Sequence, residues 1–267
     1  LCGKASWFLP FNKGYHDGAG NPPNPEGIMT DYLWKDILTK TKLSRIIENY
    51  AQVVVEENPE TRKKSVKQIW PRYHQLDCVE KLLADVRQYG VGKRYLIQHS
   101  AGSGKSNSIA WLAHQLIGLE RDGRPMIDSV IVVTDRRILD KQIRDIIKQF
   151  MQVKNTVVWA RHSGDLKKAI QDGKRIIVTT VEKFPYISQE IGQEHINHTF
   201  AIIIDEAHSG QSGRNAANMN LALSGLASDC ELDNEDKINA MVEGRKLVKT
   251  ASYFAFTATP KNKTEEV

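Results

Sequence analysis

Arg94-Tyr-Leu-Ile-Gln-His-Ser-Ala-Gly-Ser-Gly-Lys-Ser106 is an apolar run that enters a glycine-rich loop and ends in Lys-Ser at the head of an amphipathic stretch. These residues predict a strand, a loop and a helix in that order. Gly102 and Gly104 accept backbone angles closed to other residues, so N–H groups from Ala101 through Ser103 to Ser106 can turn into one concavity and receive phosphate oxygens. Lys105 would reach the β- and γ-phosphates, and the Ser106 hydroxyl would ligate Mg2+. Ile109, Leu112, Ala113 and Leu116 share one face of a helix expected over Lys105–Glu120. The positive end of its dipole would face the same phosphates. The full phosphate-loop pattern calls for glycine five positions before Gly104, and this chain has His99 there.

Outward from that loop, helical patterns alternate with short β-branched runs from Pro71 onward, which predicts an α/β fold with a parallel sheet flanked by helices. Strands are expected at Tyr95–Gln98, Ser129–Thr134, Thr156–Trp159, Arg175–Thr180, Phe200–Asp205 and Tyr253–Thr257. Helices are expected near His74–Tyr89, Arg136–Met151, Gly164–Asp172, Asn215–Leu226 and Glu235–Thr250. In such sheets ligands sit beyond the carboxyl ends of the strands. Upstream, Ser6–Phe11 is a possible strand, Asn12–Gly27 is dense in Gly, Asn and Pro, and Thr30–Glu57 carries apolar residues at helical spacing. Glu56–Lys67 is charged, contains Pro59 and reads as a linker or exposed turn. The expected divisions are a boundary segment over 1–27, a helical linker over 28–65 and the α/β domain over 66–267.

The chain has 267 residues, with 37 Lys and Arg against 32 Asp and Glu, a net charge of +5. That balance permits an anionic partner without requiring one. Cys2, Cys78 and Cys230 are far apart and have no Cys-x-x-Cys partner, which excludes a zinc knuckle and fits a reducing cytoplasm. No apolar run approaches the length of a bilayer span, so no membrane partner is expected. The start, Leu1-Cys-Gly-Lys, has neither an initiator Met nor a signal-peptide core, and reads as part of something longer.

Phe200-Ala-Ile-Ile-Ile-Asp-Glu-Ala-His208 delivers two adjacent acids at the tip of a strand. Two carboxylates there are costly without a counter-charge. A Mg2+ ion held between Ser106 and Asp205 would supply it, with Asp205 acting mainly through coordinated water. Glu206 would polarise the water that attacks the γ-phosphate, and His208 is placed to link the phosphate site to neighbouring loops. Tyr253-Phe-Ala-Phe-Thr-Ala-Thr-Pro260 is a third apolar run ending in hydroxyl residues, and Thr257 and Thr259 could hydrogen-bond the acidic motif.

The order and spacing of Gly-Ser-Gly-Lys-Ser106, Asp205-Glu-Ala-His208 and Thr257-Ala-Thr-Pro260 resemble motifs I, II and III of superfamily 2 helicases and translocases, in their first RecA-like lobe. That resemblance implies ATP with Mg2+ as the cofactors. It also places an adenine-reading glutamine about a helix upstream, where Pro71-Arg-Tyr-His-Gln75 offers Gln75. Val132-Val-Thr-Asp-Arg-Arg137 resembles the family's motif Ia, implying DNA-backbone contacts from Thr134 and Arg137. Arg175–Phe184 resembles the next such segment, with Thr179 or Thr180 as the contacting residue.

Phe8-Leu-Pro-Phe-Asn-Lys-Gly14, Gly18-Ala-Gly-Asn-Pro22, Tyr32-Leu-Trp34, Arg72-Tyr-His-Gln75, Gln98–Ser106, Thr134-Asp-Arg136 and Asp205–Gln211 look like the restriction subunit of a type I restriction-modification enzyme. This resemblance adds Gln211 to His208, Thr257 and Thr259 as coupling residues. It implies a bacterial or archaeal cytoplasmic protein whose partners are double-stranded DNA, the methyltransferase and specificity subunits, and a second RecA-like lobe of the same chain. The family's nuclease carries an Asp followed by Glu-x-Lys, which nothing before residue 60 supplies, and Glu235-Asp-Lys237 lies in a polar helical stretch. DNA-cleavage residues and the second lobe are therefore expected to be absent from this stretch. Two other readings remain: a superfamily 2 helicase or repair translocase outside restriction, and a non-catalytic nucleotide-binding scaffold. Glu206 argues against the scaffold, which would not need it.

Overall fold

Every residue of Ser129–Thr134, Ile176–Thr180 and Phe200–Asp205 is buried in the computed structural model, as strands covered on both faces must be. The structure describes residues 11–16, 18, 20–57, 61–62, 64–100, 102–134, 146–147, 157–160, 162–180, 198–205 and 250–258. The chain divides into two compact units, Leu1–Leu82 and Leu83–Val267.

In the first unit, Tyr32 donates its hydroxyl proton to the Phe11 carbonyl, and its ring meets Tyr73 edge-on at 5.4 Å. Lys13 Nζ stands 4.7 Å over the Tyr32 ring, a cation–π contact that ties the Gly- and Asn-rich loop to aromatic residues. A π-helical turn at Leu33–Ile37 leads to helix α1 (Lys40–Asn49). Lys42 and Arg45 on α1 pair with Glu80 at 3.0 and 2.9 Å.

The helical expectation for Thr30–Glu57 fails after Asn49. Strand β1 (Gln52–Glu57) pairs antiparallel with β2 (Lys64–Ile69), Val55 opposite Val66 and Val54 opposite Lys67. Val53, Val54 and Val55 are β-branched, and such side chains fit a pleated strand better than a helix, which overrides the apparent helical spacing. The stretch expected as a linker to Lys67 is a strand from Lys64 onward. Its residues Lys64–Gln68 are exposed, so β2 carries no apolar alternation by which to be recognised.

The boundary between the units falls within helix α2 (Tyr73–Tyr89). In the second unit, strand β3 (Arg94–Gln98) feeds the glycine loop, and helix α3 (Lys105–Ile117) follows it. Ile109, Ala110, Trp111, Leu112, Ala113 and Leu116 on α3 are all buried. The helix stops at Gly118, short of the expected Glu120. Beyond it a minimal hairpin, β4 (Glu120–Arg121) and β5 (Arg124–Pro125), turns through Asp122 and Gly123 at φ of 53° and 72°. Two successive residues at positive φ are what a tight primed turn requires. Then come β6 (Ser129–Thr134), β7 (Val157–Trp159), α4 (Ser163–Gln171), β8 (Ile176–Thr180), β9 (Phe200–Asp205) and β10 (Ala251–Thr257).

The six-stranded sheet has the order β3-β10-β9-β6-β8-β7, and every adjacent pair is parallel. This is the α/β architecture, a parallel sheet with helices, expected from the alternating pattern. Its core includes Ile131, Val133, Leu166, Ile170, Ile177, Phe200, Ile202 and Ile204. At the amino ends of β6 and β9, Thr199 donates its N–H and its hydroxyl to Asp128 Oδ2 at 2.8 and 2.9 Å. The Asp128 N–H in turn donates to the Thr199 carbonyl at 2.9 Å. This reciprocal clamp sets the register in which Ile131 faces Ile202 and Val133 faces Ile204. The expected Ser6–Phe11 strand and the helices over Arg136–Met151, Asn215–Leu226 and Glu235–Thr250 lie wholly or largely outside the described residues.

Candidate nucleotide site

The last-inserted strand in the sequence is the one that joins the two chemical motifs. β10 lies between β3 and β9, with Thr257 opposite Gln98 and Phe256 opposite Asp205. The carboxyl ends of β3, β10 and β9 therefore present the glycine loop, Thr257 and Asp205 side by side. Thr134 and Thr180, paired across β6 and β8, end on the same edge of the sheet.

The loop adopts the angles that its glycines permit. Gly102 has φ of 74° and Gly104 has φ of 82°, both left-handed, and Gly104 is the residue from which α3 starts. A Cβ built on Gly102 would meet nothing within 4 Å. The space above the loop is open, and the left-handed angle is what excludes a side chain there. That open space leaves room for a phosphate group. Ser103 N–H donates to the Ser100 carbonyl at 3.1 Å, and Asn107 N–H closes the first turn of α3 on the Gly104 carbonyl at 3.0 Å.

Lys105 Nζ lies 3.1 Å from Asp205 Oδ1, with the two side chains only 12% and 3% exposed. A carboxylate this deep requires a cationic neighbour, and the lysine supplies it. Motifs far apart in the chain thus meet in an ion pair at the mouth of the loop. Ser106, half-buried in the first turn of α3, follows Lys105 directly and offers a hydroxyl oxygen of the kind Mg2+ takes.

His99, in the place where the phosphate-loop pattern has glycine, is 5% exposed. Its Nδ1 is in hydrogen-bond contact with Ser103 Oγ at 3.2 Å, and its ring meets Phe256 edge-on at 5.8 Å. The sequence marked His99 only as a departure from the pattern; its partners became visible with the fold.

The other candidates divide in three. Gln75 belongs to the first unit, is 3% exposed and accepts the Arg72 N–H through Oε1 at 2.8 Å, the back-bond of a helix start. Thr134 and Thr180 are buried, and Thr134 donates its hydroxyl to the Thr179 carbonyl at 3.4 Å. Ala101, Arg137, Glu206, His208, Gln211 and Thr259 lie outside the described residues. Among the described residues no group of three His, Cys, Asp or Glu side chains could hold a metal ion, and no helix is long and apolar enough to cross a membrane.

Residues 74–267 match the family model described as SWI2/SNF2 ATPase. A Methanocaldococcus jannaschii protein, provisionally named as the type I restriction enzyme MjaIXP endonuclease subunit, is 26% identical over 171 residues. That stretch covers 62% of this chain and 13% of the relative, so the chain spans a small part of that protein's length. Among solved structures, the UvsW helicase from bacteriophage T4 is similar with a TM-score of 0.46 and 14% identity, over 85% of this chain and 63% of that one. A nuclease-deletion mutant of the Type ISP restriction-modification enzyme LlaGI, in complex with a DNA substrate mimic, has a TM-score of 0.44 and 16% identity. There the match covers 70% of this chain and 17% of that one.

Proposed function

The chain belongs to the SWI2/SNF2 ATPase family, and from that premise we propose that it is the nucleotide-binding lobe of a motor that moves along double-stranded DNA in a type I restriction enzyme. One observation carries the nucleotide reading: Lys105 Nζ rests 3.1 Å from Asp205 Oδ1 at the mouth of an open glycine loop. In this reading the N–H groups from Ala101 to Ser106 hold the phosphates of ATP, and Lys105 leaves Asp205 for the β- and γ-phosphates. Ser106 and Asp205 then hold Mg2+, which supplies neutralisation of charge on the phosphates. Glu206 orients the attacking water, and Gln75 is the candidate for reading the adenine edge, which requires its Oε1 to exchange the Arg72 N–H for the base. His208, Gln211, Thr257 and Thr259 couple the site to its surroundings. Contacts to the DNA backbone come from Arg137 and from the segments that follow Thr134 and Thr180, whose own side chains are buried at the strand ends, which implies binding without base readout.

The restriction assignment rests on the motif resemblance over residues 8–211 and is supported by the 26% identity to the archaeal relative. Recognition and methylation then belong to partner subunits, and a second RecA-like lobe supplies the groups that complete hydrolysis.

Equilibrium titration of a fluorescent ATP analogue with Mg2+ tests the nucleotide reading. Lys105→Ala is expected to weaken binding at least tenfold and Gln75→Ala to weaken it less, on the order of the loss of one or two hydrogen bonds. Undiminished binding in Lys105→Ala would overturn the loop assignment.

A further inference from the structure

We propose that His99 is a positioning residue that ties the phosphate loop to the end of β10, so that the loop and the third motif move together. The proposal rests on the nucleotide reading above for its consequence, and on the contacts of His99 for its geometry.

Three contacts of His99 bear on this tie. Its N–H donates to the Thr257 carbonyl at 2.8 Å, its ring meets Phe256 edge-on at 5.8 Å, and its Nδ1 reaches Ser103 Oγ at 3.2 Å. Phe256 stands opposite Asp205 in the register of β10 on β9. One side chain therefore touches the loop and the strand that lies against the acid-bearing strand. A residue with only a packing role against Phe256 would need no polar atom. At 5% exposure an imidazole without a hydrogen-bond partner is costly, and Ser103 of the loop is a partner that the fold provides.

Ser103 is the point at which such a tie has leverage. It sits between Gly102 and Gly104, both at positive φ, and glycine-flanked backbone is the least constrained part of a loop. Fixing the Ser103 hydroxyl restrains the peptide groups on either side; with phosphate bound, the Ser103 N–H would exchange the Ser100 carbonyl for a phosphate oxygen. When phosphate draws that N–H in, Ser103 shifts, and His99 carries the shift to β10 and Thr257. Glycine at position 99 offers no side chain for this connection.

Amide hydrogen exchange in the nucleotide-free 267-residue chain, resolved residue by residue by NMR, tests the tie. Ser103→Ala is expected to speed exchange of the His99 amide at least fivefold while leaving Val132 in β6 unchanged as the control for folding. His99→Leu keeps bulk against Phe256 and removes the polar atom; it is expected to speed the Ser103 amide similarly. His99→Asn keeps a polar atom on Cγ and is expected to stay within twofold of wild type. Adding Ser103→Ala to His99→Leu should produce no further change, because both break one link. Unchanged exchange of the His99 amide in Ser103→Ala overturns the proposal, and so does a strictly additive double variant. A second arm uses the ATP analogue with Mg2+. Wild type should gain protection in the loop and in β10, whereas His99→Leu gains it in the loop alone; equal protection of β10 in both overturns the coupling. If wild type binds no nucleotide, the nucleotide reading fails, and the tie is still decided by the nucleotide-free exchange.

Discussion

At the residue scale, the Lys105–Asp205 pair is buried, with the two side chains 12% and 3% exposed. Removing one member of a buried pair is costly because the other charge stays in low dielectric. Lys105→Met is therefore expected to destabilise the nucleotide-free chain by about 3 kcal/mol. Adding Asp205→Asn should restore much of that loss, since it removes the stranded charge. Urea midpoints for the three variants check this, and a double variant no more stable than Lys105→Met would show that the pair is not the source. The types of these two residues were legible from the chain, because a glycine loop ending in Lys-Ser and an acid at a strand tip have specific chemistry. Their contact was not, because it depends on which strand lies between theirs. His99 shows the converse: a departure from a pattern is visible in sequence, while its replacement role needs the partner side chain.

At the element scale, strands with uniform apolar character were readable to within a residue or two, and strands with polar faces were not. Ser129–Thr134 and Phe200–Asp205 begin and end where the β-branched and apolar runs do. β2, with Lys64–Gln68 exposed, exists because β1 offers it a backbone ladder, a reason that no single-strand pattern records. Register follows the same logic. The Asp128–Thr199 clamp joins residues 71 positions apart and aligns β9 on β6, so it helps to set where Asp205 emerges. Asp128→Ala leaves the Thr199 N–H and hydroxyl without their acceptor and is expected to cost about 2 kcal/mol. Asp128→Asn, which keeps an acceptor oxygen, should cost about half as much. Chemical denaturation at constant m-value measures both, and equal losses would mean that the acceptor is not what matters.

At the scale of the whole molecule, the net charge of +5 and the proposed backbone contacts predict duplex DNA binding governed by phosphate rather than base identity. If about three phosphates are neutralised, raising monovalent salt from about 50 to 150 mM should weaken binding by roughly twentyfold. Two duplexes of equal length and different sequence should bind alike; fluorescence anisotropy across a salt series would detect a base preference, which would count against the motor reading. By itself the sequence determined the fold class, the glycine loop and the acid-bearing strand. Apolar strand runs, left-handed glycines and a buried carboxylate are each dictated by local chemistry that any partner must accommodate. Only the tertiary structure decided that β10 enters between β3 and β9, that Lys105 meets Asp205, and that His99 joins the loop to Phe256. Strand order is set by which apolar faces bury together across the whole sheet, and that sum over distant contacts is not written in any one stretch of the chain.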